Sequence, residues 1–176
     1  MTNEFLLAGF GGQGILFAGK LLAYVGLYAG KEVSWLPSYG PEMRGGTSNC
    51  TVIVSDEEIG SPSVSNPDLL IAMNLPSFDK FEPAVKAGGT IFCDSTLIDK
   101  KSAREDIKAV YIPATGLANE NGLSGFANVI ILGKILKETG LFDYEAFTNF
   151  LVSSIPATKA ALIEKNKKAL ELGYNA

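Results

Sequence analysis

Apolar residues crowd positions 4–8 and stop at a glycine; from Ile15 they recur as Leu16, Ala18, Leu21, Leu22 and Val25 until Gly30, the spacing of a helix. The pattern predicts strand, glycine turn, helix. Residues 32–36 read as a second strand, which completes a β-α-β unit and predicts a right-handed crossover and a parallel pair. The run TSNCTVIVS at residues 47–55 is rich in β-formers, and Asp56-Glu57-Glu58 followed by Gly60 marks a turn at a sheet end. Residues 69–73, 90–94 and 108–112 are the remaining strands. In NLPSFDKFEPAVKAGG, Asn74 or Ser77 caps a helix that Pro76 helps to start, Pro83 kinks or splits, and Gly88-Gly89 ends. After PATG the chain turns helical: residues 117–139 with a break at 122–125, then 144–154, then 157–172. Strands alternating with helices predict an α/β fold, a mostly parallel Rossmann-like sheet with helices on both faces and a helical C-terminal region.

Composition narrows the function classes. The 176 residues carry no composition break or linker and read as one domain, 1–176. Charged residues are 19% and hydrophobic ones 47%, a surplus of apolar surface for a monomer of this size. A net charge of -4 without a basic cluster argues against nucleic acid or an anionic membrane as partner. Lys165, Lys167 and Lys168 read as a solvated helix face. Gly, Pro and Asn interrupt every apolar stretch before it reaches the length of a membrane span, and the N-terminus lacks the cationic and cleavage features of a signal peptide. A cytoplasmic location is expected. Histidine is absent, which removes the commonest general base and metal ligand. Cys50 and Cys93 form no C-x-x-C pair and read as small buried apolar residues rather than ligands of a cluster or a zinc. No catalytic residue and no metal ligand is therefore assigned, and any proton chemistry would fall to a cofactor.

Gly9-Phe10-Gly11-Gly12-Gln13-Gly14 fits G-x-G-x-x-G after a strand and before a helix, the context in which that pattern has meaning. Three readings stay open: glycines for a tight turn and a close helix approach, an anion held by the helix-start amides of Gly11, Gly12, Gln13 and Gly14, or a dinucleotide. Against the last, Glu32 stands at the beginning of the second strand, whereas the ribose-binding acid belongs at its end. The missing Lys-Ser/Thr pair excludes a nucleoside-triphosphate P-loop.

The segment PSYGPEMRGGTSNC, residues 37–50, is too irregular for a helix and too rich in turn formers for a strand. Together with GFGGQGILFAGKLLAYVG, SWLPSYGPEMRGGTSNCTVIVSD, IGSP and NPDLLIAMNLPSFDKF, in order over residues 9–81, it closely resembles the gamma subunit of 2-oxoacid:ferredoxin oxidoreductases, most nearly the 2-oxoglutarate type. Weaker agreement continues through PAT at residues 113–115 and the helix ending LGKILKETG. The resemblance implies a single gamma-type domain of an enzyme that decarboxylates a 2-oxoacid, passes the acyl group to coenzyme A and reduces ferredoxin. It further implies that thiamine diphosphate, magnesium and iron–sulfur clusters reside on other subunits, namely alpha and beta thiamine-binding subunits and a ferredoxin-like one, with none bound tightly here. This chain is then expected to serve assembly and to contact coenzyme A.

On that reading Tyr39 offers a stacking face, Glu42 an acceptor and Arg44 a forked donor for a coenzyme A phosphate or a neighbouring subunit's carboxylate. The alternative is a self-contained surface loop with an internal Glu42–Arg44 link. Asn74 and Asp94-Ser95, at strand ends, read as helix caps, Met73 as core, and Trp35 as packed beside the loop with an interface role open.

Overall fold

The structure, a computed structural model, describes residues 1–38 and 47–176. Among these residues six strands and six α-helices follow in the order β1 (Thr2–Phe10), α1 (Ile15–Tyr28), β2 (Glu32–Ser38), β3 (Thr47–Ser55), β4 (Leu69–Ala72), α2 (Leu75–Phe81), β5 (Thr90–Asp94), β6 (Lys108–Ile112), α3 (Ala114–Glu120), α4 (Ala127–Thr139), α5 (Tyr144–Ser153) and α6 (Ala160–Asn175). The periodicities thus located every element. Pro83 ends α2 and forces a 3-10 turn at Glu82–Ala84.

The sheet runs β2-β3-β1-β4-β5-β6. From β1 through β6 the strands are parallel, whereas β3 is antiparallel to both β1 and β2. The expected parallel pairing of β1 with β2 is corrected here: they share a direction, but β3 lies between them. The connection over residues 39–46 is too short for a parallel crossover, which takes a dozen residues or more. It therefore returns the chain antiparallel to β2, and the nine-residue β3 finds β1 along its whole length, Thr2 opposite Ser55 through Phe10 opposite Thr47.

Alternate residues of the central strands feed two cores. Phe5, Leu7, Val52, Val54, Ile71 and Phe92 share one core with α1 and α4, with Phe147 and Leu151 of α5, and with Ala169 and Leu170 of α6, which packs against α4. Leu6, Ala8, Leu70, Ala72 and Ile91 face Phe78 of α2, Val85 and Ile98. Both faces are covered, the second by a much thinner layer.

Glu138 near the end of α4 joins Lys108 of β6 at 2.7 Å and Lys134 of its own helix at 3.0 Å. The Lys108 hydrogen bond, reinforced by Lys134, holds its carboxyl down at about 2. Because the folded value lies below the unfolded one, the contribution to stability is complete above the ordinary carboxylate range and is lost as pH falls towards about 2. Glu138→Gln should lower the melting temperature slightly at neutral pH, by the equivalent of about 1 kcal/mol or less, since Lys108, the stronger partner, is largely exposed. A series of melts from neutral to strongly acidic pH should show the two proteins converging at the acid end; a gap that persists there would assign the loss to packing.

Candidate functional site

The connections diverge at β1: α1 leads away to the β2 side, while β4, α2 and β5 build the other half. Such a switch point leaves a crevice at the carboxyl ends of the strands. Here a cavity of about 190 Å³ is lined by Gly12, Gln13, Met73, Leu97, Thr115, Ala118, Asn119, Ser124, Gly125 and Ala127.

Gln13 ties the crevice to two strands. Its Oε1 accepts from Phe10 N at 2.6 Å and its Nε2 donates to Met73 O at 2.9 Å, so one side chain spans the ends of β1 and β4. Gly14 starts α1 in the left-handed region at φ 72°, and no side chain caps this helix. The amides of its first turn lack intrahelical acceptors and carry the positive end of the helix dipole. Buried Asn128 of α4 donates from Nδ2 to Gly14 O at 3.2 Å, and a Cβ on Gly14 would stand 2.4 Å from that nitrogen. Only glycine fits both the backbone and the contact.

The far wall is set by Asp94, wholly buried at the end of β5. Its carboxylate accepts from Thr96 N at 3.1 Å, and from both the amide and the hydroxyl of Thr115 in the first turn of α3. Asp94 thus takes a first-turn amide of α3 from outside the helix, that of Thr115, twenty-one positions along the chain, while the residue that precedes α3 is Pro113, whose side chain makes no cap bond. Asn74 caps α2, its Oδ1 accepting from Ser77 N at 2.8 Å.

Of the residues singled out in the sequence, Gly12 and Gln13 line the crevice, Gly11 lies exposed in the turn and Gly14 is held under Asn128. Tyr39, Glu42 and Arg44 lie outside the described residues. Their segment leaves the sheet at Ser38 and re-enters at Thr47, the partner of Phe10 at the head of the glycine turn. Glu32 pairs with Ser55 at the opposite end of the strands from the turn. Thr115, Asn119, Ser124 and Asn128 were not singled out in the sequence; the traces were Thr115 within PAT and an asparagine within the apolar run ANVIIL.

Cys50 and Cys93 lie under opposite faces of the sheet and cannot share one cluster. Burial pushes each thiol up to about 12. The buried Cys50 Sγ packs against Ile15 O, at 3.7 Å. Among the described residues no group of three or more His, Cys, Asp or Glu side chains is placed to hold a metal, and no helix is long and apolar enough to cross a membrane. The residues present thus do not fit an iron–sulfur cluster.

Fold and crevice together define a doubly wound α/β domain with a glycine turn at the carboxyl ends of its central strands. The chain belongs to the pyruvate ferredoxin/flavodoxin oxidoreductase family, which matches residues 4–176. It is 43% identical over 169 residues to the ketoisovalerate oxidoreductase subunit VorA of Methanothermobacter marburgensis, covering 95% of this chain and 35% of that one. It is 37% identical over 177 residues to the 2-oxoglutarate synthase subunit KorC of Methanocaldococcus jannaschii, covering 99% and 93%. Among solved structures, the keto/oxoacid ferredoxin oxidoreductase gamma subunit of Geobacter sulfurreducens superposes with a TM-score of 0.84 at 31% identity, over 98% of this chain and 96% of the other. The resemblance read from residues 9–81 is confirmed by these matches at the level of the gamma subunit. This chain spans about a third of the length of the VorA relative, and the two relatives carry the names of different 2-oxoacids.

Proposed function

We propose that this chain is the gamma component of a cytoplasmic 2-oxoacid:ferredoxin oxidoreductase that converts 2-oxoglutarate, or a related 2-oxoacid, and coenzyme A to acyl-CoA and CO2. Alpha and beta subunits and a ferredoxin-like subunit complete the complex. Their thiamine diphosphate, magnesium and iron–sulfur clusters supply the decarboxylation and the electron path to ferredoxin. The contribution of this chain is assembly and a contact to coenzyme A. The observation that carries the reading is the glycine turn at the switch point, with an uncapped helix start beside Gly12 and Gln13. Backbone amides at a helix start suit phosphate oxygens, and coenzyme A brings several. The residues that flank the segment with Tyr39, Glu42 and Arg44, Ser38 and Thr47, lie at the same end of the strands as the turn, which supports that segment as a second half of the contact. A free-standing dinucleotide enzyme is disfavoured, because Glu32 stands at the wrong end of β2.

The test is the assembled complex carrying Arg44→Ala. It should form normally and require about ten- to a hundredfold more coenzyme A for half-maximal rate, the loss expected for one charge-assisted hydrogen bond. Assembly with unaltered coenzyme A kinetics would remove the ligand role. Failure to assemble would reassign Arg44 to a subunit contact. Rates with 2-oxoglutarate, pyruvate and ketoisovalerate on the wild-type complex select the substrate.

A further inference from the structure

Helix α1 is apolar all round except for Lys20. Ile15, Ala18, Leu21, Leu22 and Val25 are buried inward, yet Phe17, Tyr24, Leu27 and Tyr28 recur along the outward face, the last two 60% and 78% exposed. A helix that is hydrophobic all round is normally enclosed on all sides. Two grooves flank this ridge. One, of about 370 Å³, lies between α1 and Phe150 of α5; the other, of about 310 Å³, lies between α1 and Val33 and Trp35 of the edge strand β2. Lys20 and Tyr24 line both. Tyr24 and Tyr28 each meet the Phe150 ring, at centroid distances of 6.0 and 6.1 Å. Aromatic anchors flanked by pockets are what binding hot spots are made of.

Charge sharpens the occupant. The Lys20 ammonium sits 5.4 Å over the Tyr24 ring, and no carboxylate among the described residues pairs with it. In a chain of net charge -4 this is an unmatched cation at the centre of an apolar patch. The same domain exists at its own length in the KorC relative and as about a third of the longer VorA chain. The fold therefore works both joined to a further polypeptide and apart from it, and where it stands apart that polypeptide must be held by surface alone.

We propose that the outward face of α1, with Phe150 and the β2 edge, is the docking surface for the polypeptide that corresponds to the remaining two thirds of the longer relatives. That partner lays apolar side chains into the two grooves and sets a carboxylate against Lys20. The proposal rests on the assignment to a multi-subunit oxidoreductase and adds the surface through which it assembles.

Co-expression of the full chain with its companion subunits tests it, using wild type, Phe17→Asp, Tyr24→Asp and Lys20→Glu, with affinities measured by titration of the separated components. Lys20→Glu should leave the melting temperature of the isolated chain nearly unchanged, whereas Phe17→Asp and Tyr24→Asp, at half-exposed rings, should lower it by a few degrees while the chain stays folded. Each aromatic variant should bind the companion at least about thirty-fold more weakly. Lys20→Glu should weaken it further as salt is lowered, because repulsion replaces attraction. Benzoylphenylalanine in place of Tyr28 should cross-link to the companion, a readout that does not depend on the aspartate variants folding. If wild type recovers no companion, the assignment to a complex fails. If wild type and all variants bind alike, the complex stands and this surface is wrong. Should wild type instead form a homodimer that Tyr24→Asp dissolves while companion binding persists, the occupant is a second copy and the proposal is overturned.

Discussion

Replacing Gly173 with alanine should be the most damaging single-methyl change in this protein. Helices α4 and α6 touch backbone to backbone where Gly133 and Gly173 face across. A Cβ at Gly173 would stand 1.7 Å from Ile130 O, and one at Gly133 would stand 2.1 Å from Leu170 O. Neither obstacle is a side chain that can rotate away, so the helices must separate, and Val129, Ile130, Ala169 and Leu170 of the shared core lose contacts as they do. Overpacking typically costs about 1–3 kcal/mol and more against rigid backbone. The better helix propensity of alanine returns up to about 1 kcal/mol. A net loss of about 3 kcal/mol corresponds to a fall of roughly 10 °C in melting temperature for a domain of this size. Gly60→Ala is the control, since nothing lies within 4 Å of its Cβ and its φ is not in the left-handed region. If Gly173→Ala melts within 2 °C or so of wild type, the close helix approach is wrong.

Asp94→Ala should come next, at about 3 kcal/mol, since it strips the partners from buried groups. The carboxylate receives Thr96 N and the amide and hydroxyl of Thr115, and it is itself wholly excluded from solvent. Hydrogen bonds to a charged acceptor are worth about 1.5–3 kcal/mol, and an amide left buried and unpaired adds its own desolvation cost. Asp94→Asn retains one acceptor oxygen and should lose about half as much. The consequence reaches the crevice, because Thr115 lines it and is positioned by this bond. Hydrogen exchange should therefore show α3 deprotected in Asp94→Ala while β1 and β4 stay slow. Equal deprotection throughout would mean that Asp94 supports the domain as a whole, with no special hold on α3.

The parts of the fold that were legible are those with local causes. The strands 69–72 and 90–94 are short apolar runs bounded by turn residues, Asn74 with Pro76 two positions on starts a helix, and Pro83 ends it. The outward face of α1 was legible only as a surplus of apolar residues, because a helix with no polar side does not say which side meets the core. In the crevice, Gly12 and Gln13 stood out through their own motif and Thr115 only as part of PAT, whereas Asn119 sits in ordinary helical sequence. Asn128 reaches Gly14 across 114 positions. Nothing local marks such a residue until the helices are packed.

By itself, then, the order of residues determined the succession of strands and helices, the glycine turn and the gamma-subunit motifs over residues 9–81, since propensity, periodicity and turn chemistry act over a few neighbours. The tertiary structure alone decided that β3 enters between β1 and β2, that α4 and α6 meet at two glycines, and that residues 115–127 close the far wall of the crevice. Those outcomes turn on which distant surfaces bury the most apolar area while satisfying every strand edge. That competition is settled across the whole chain.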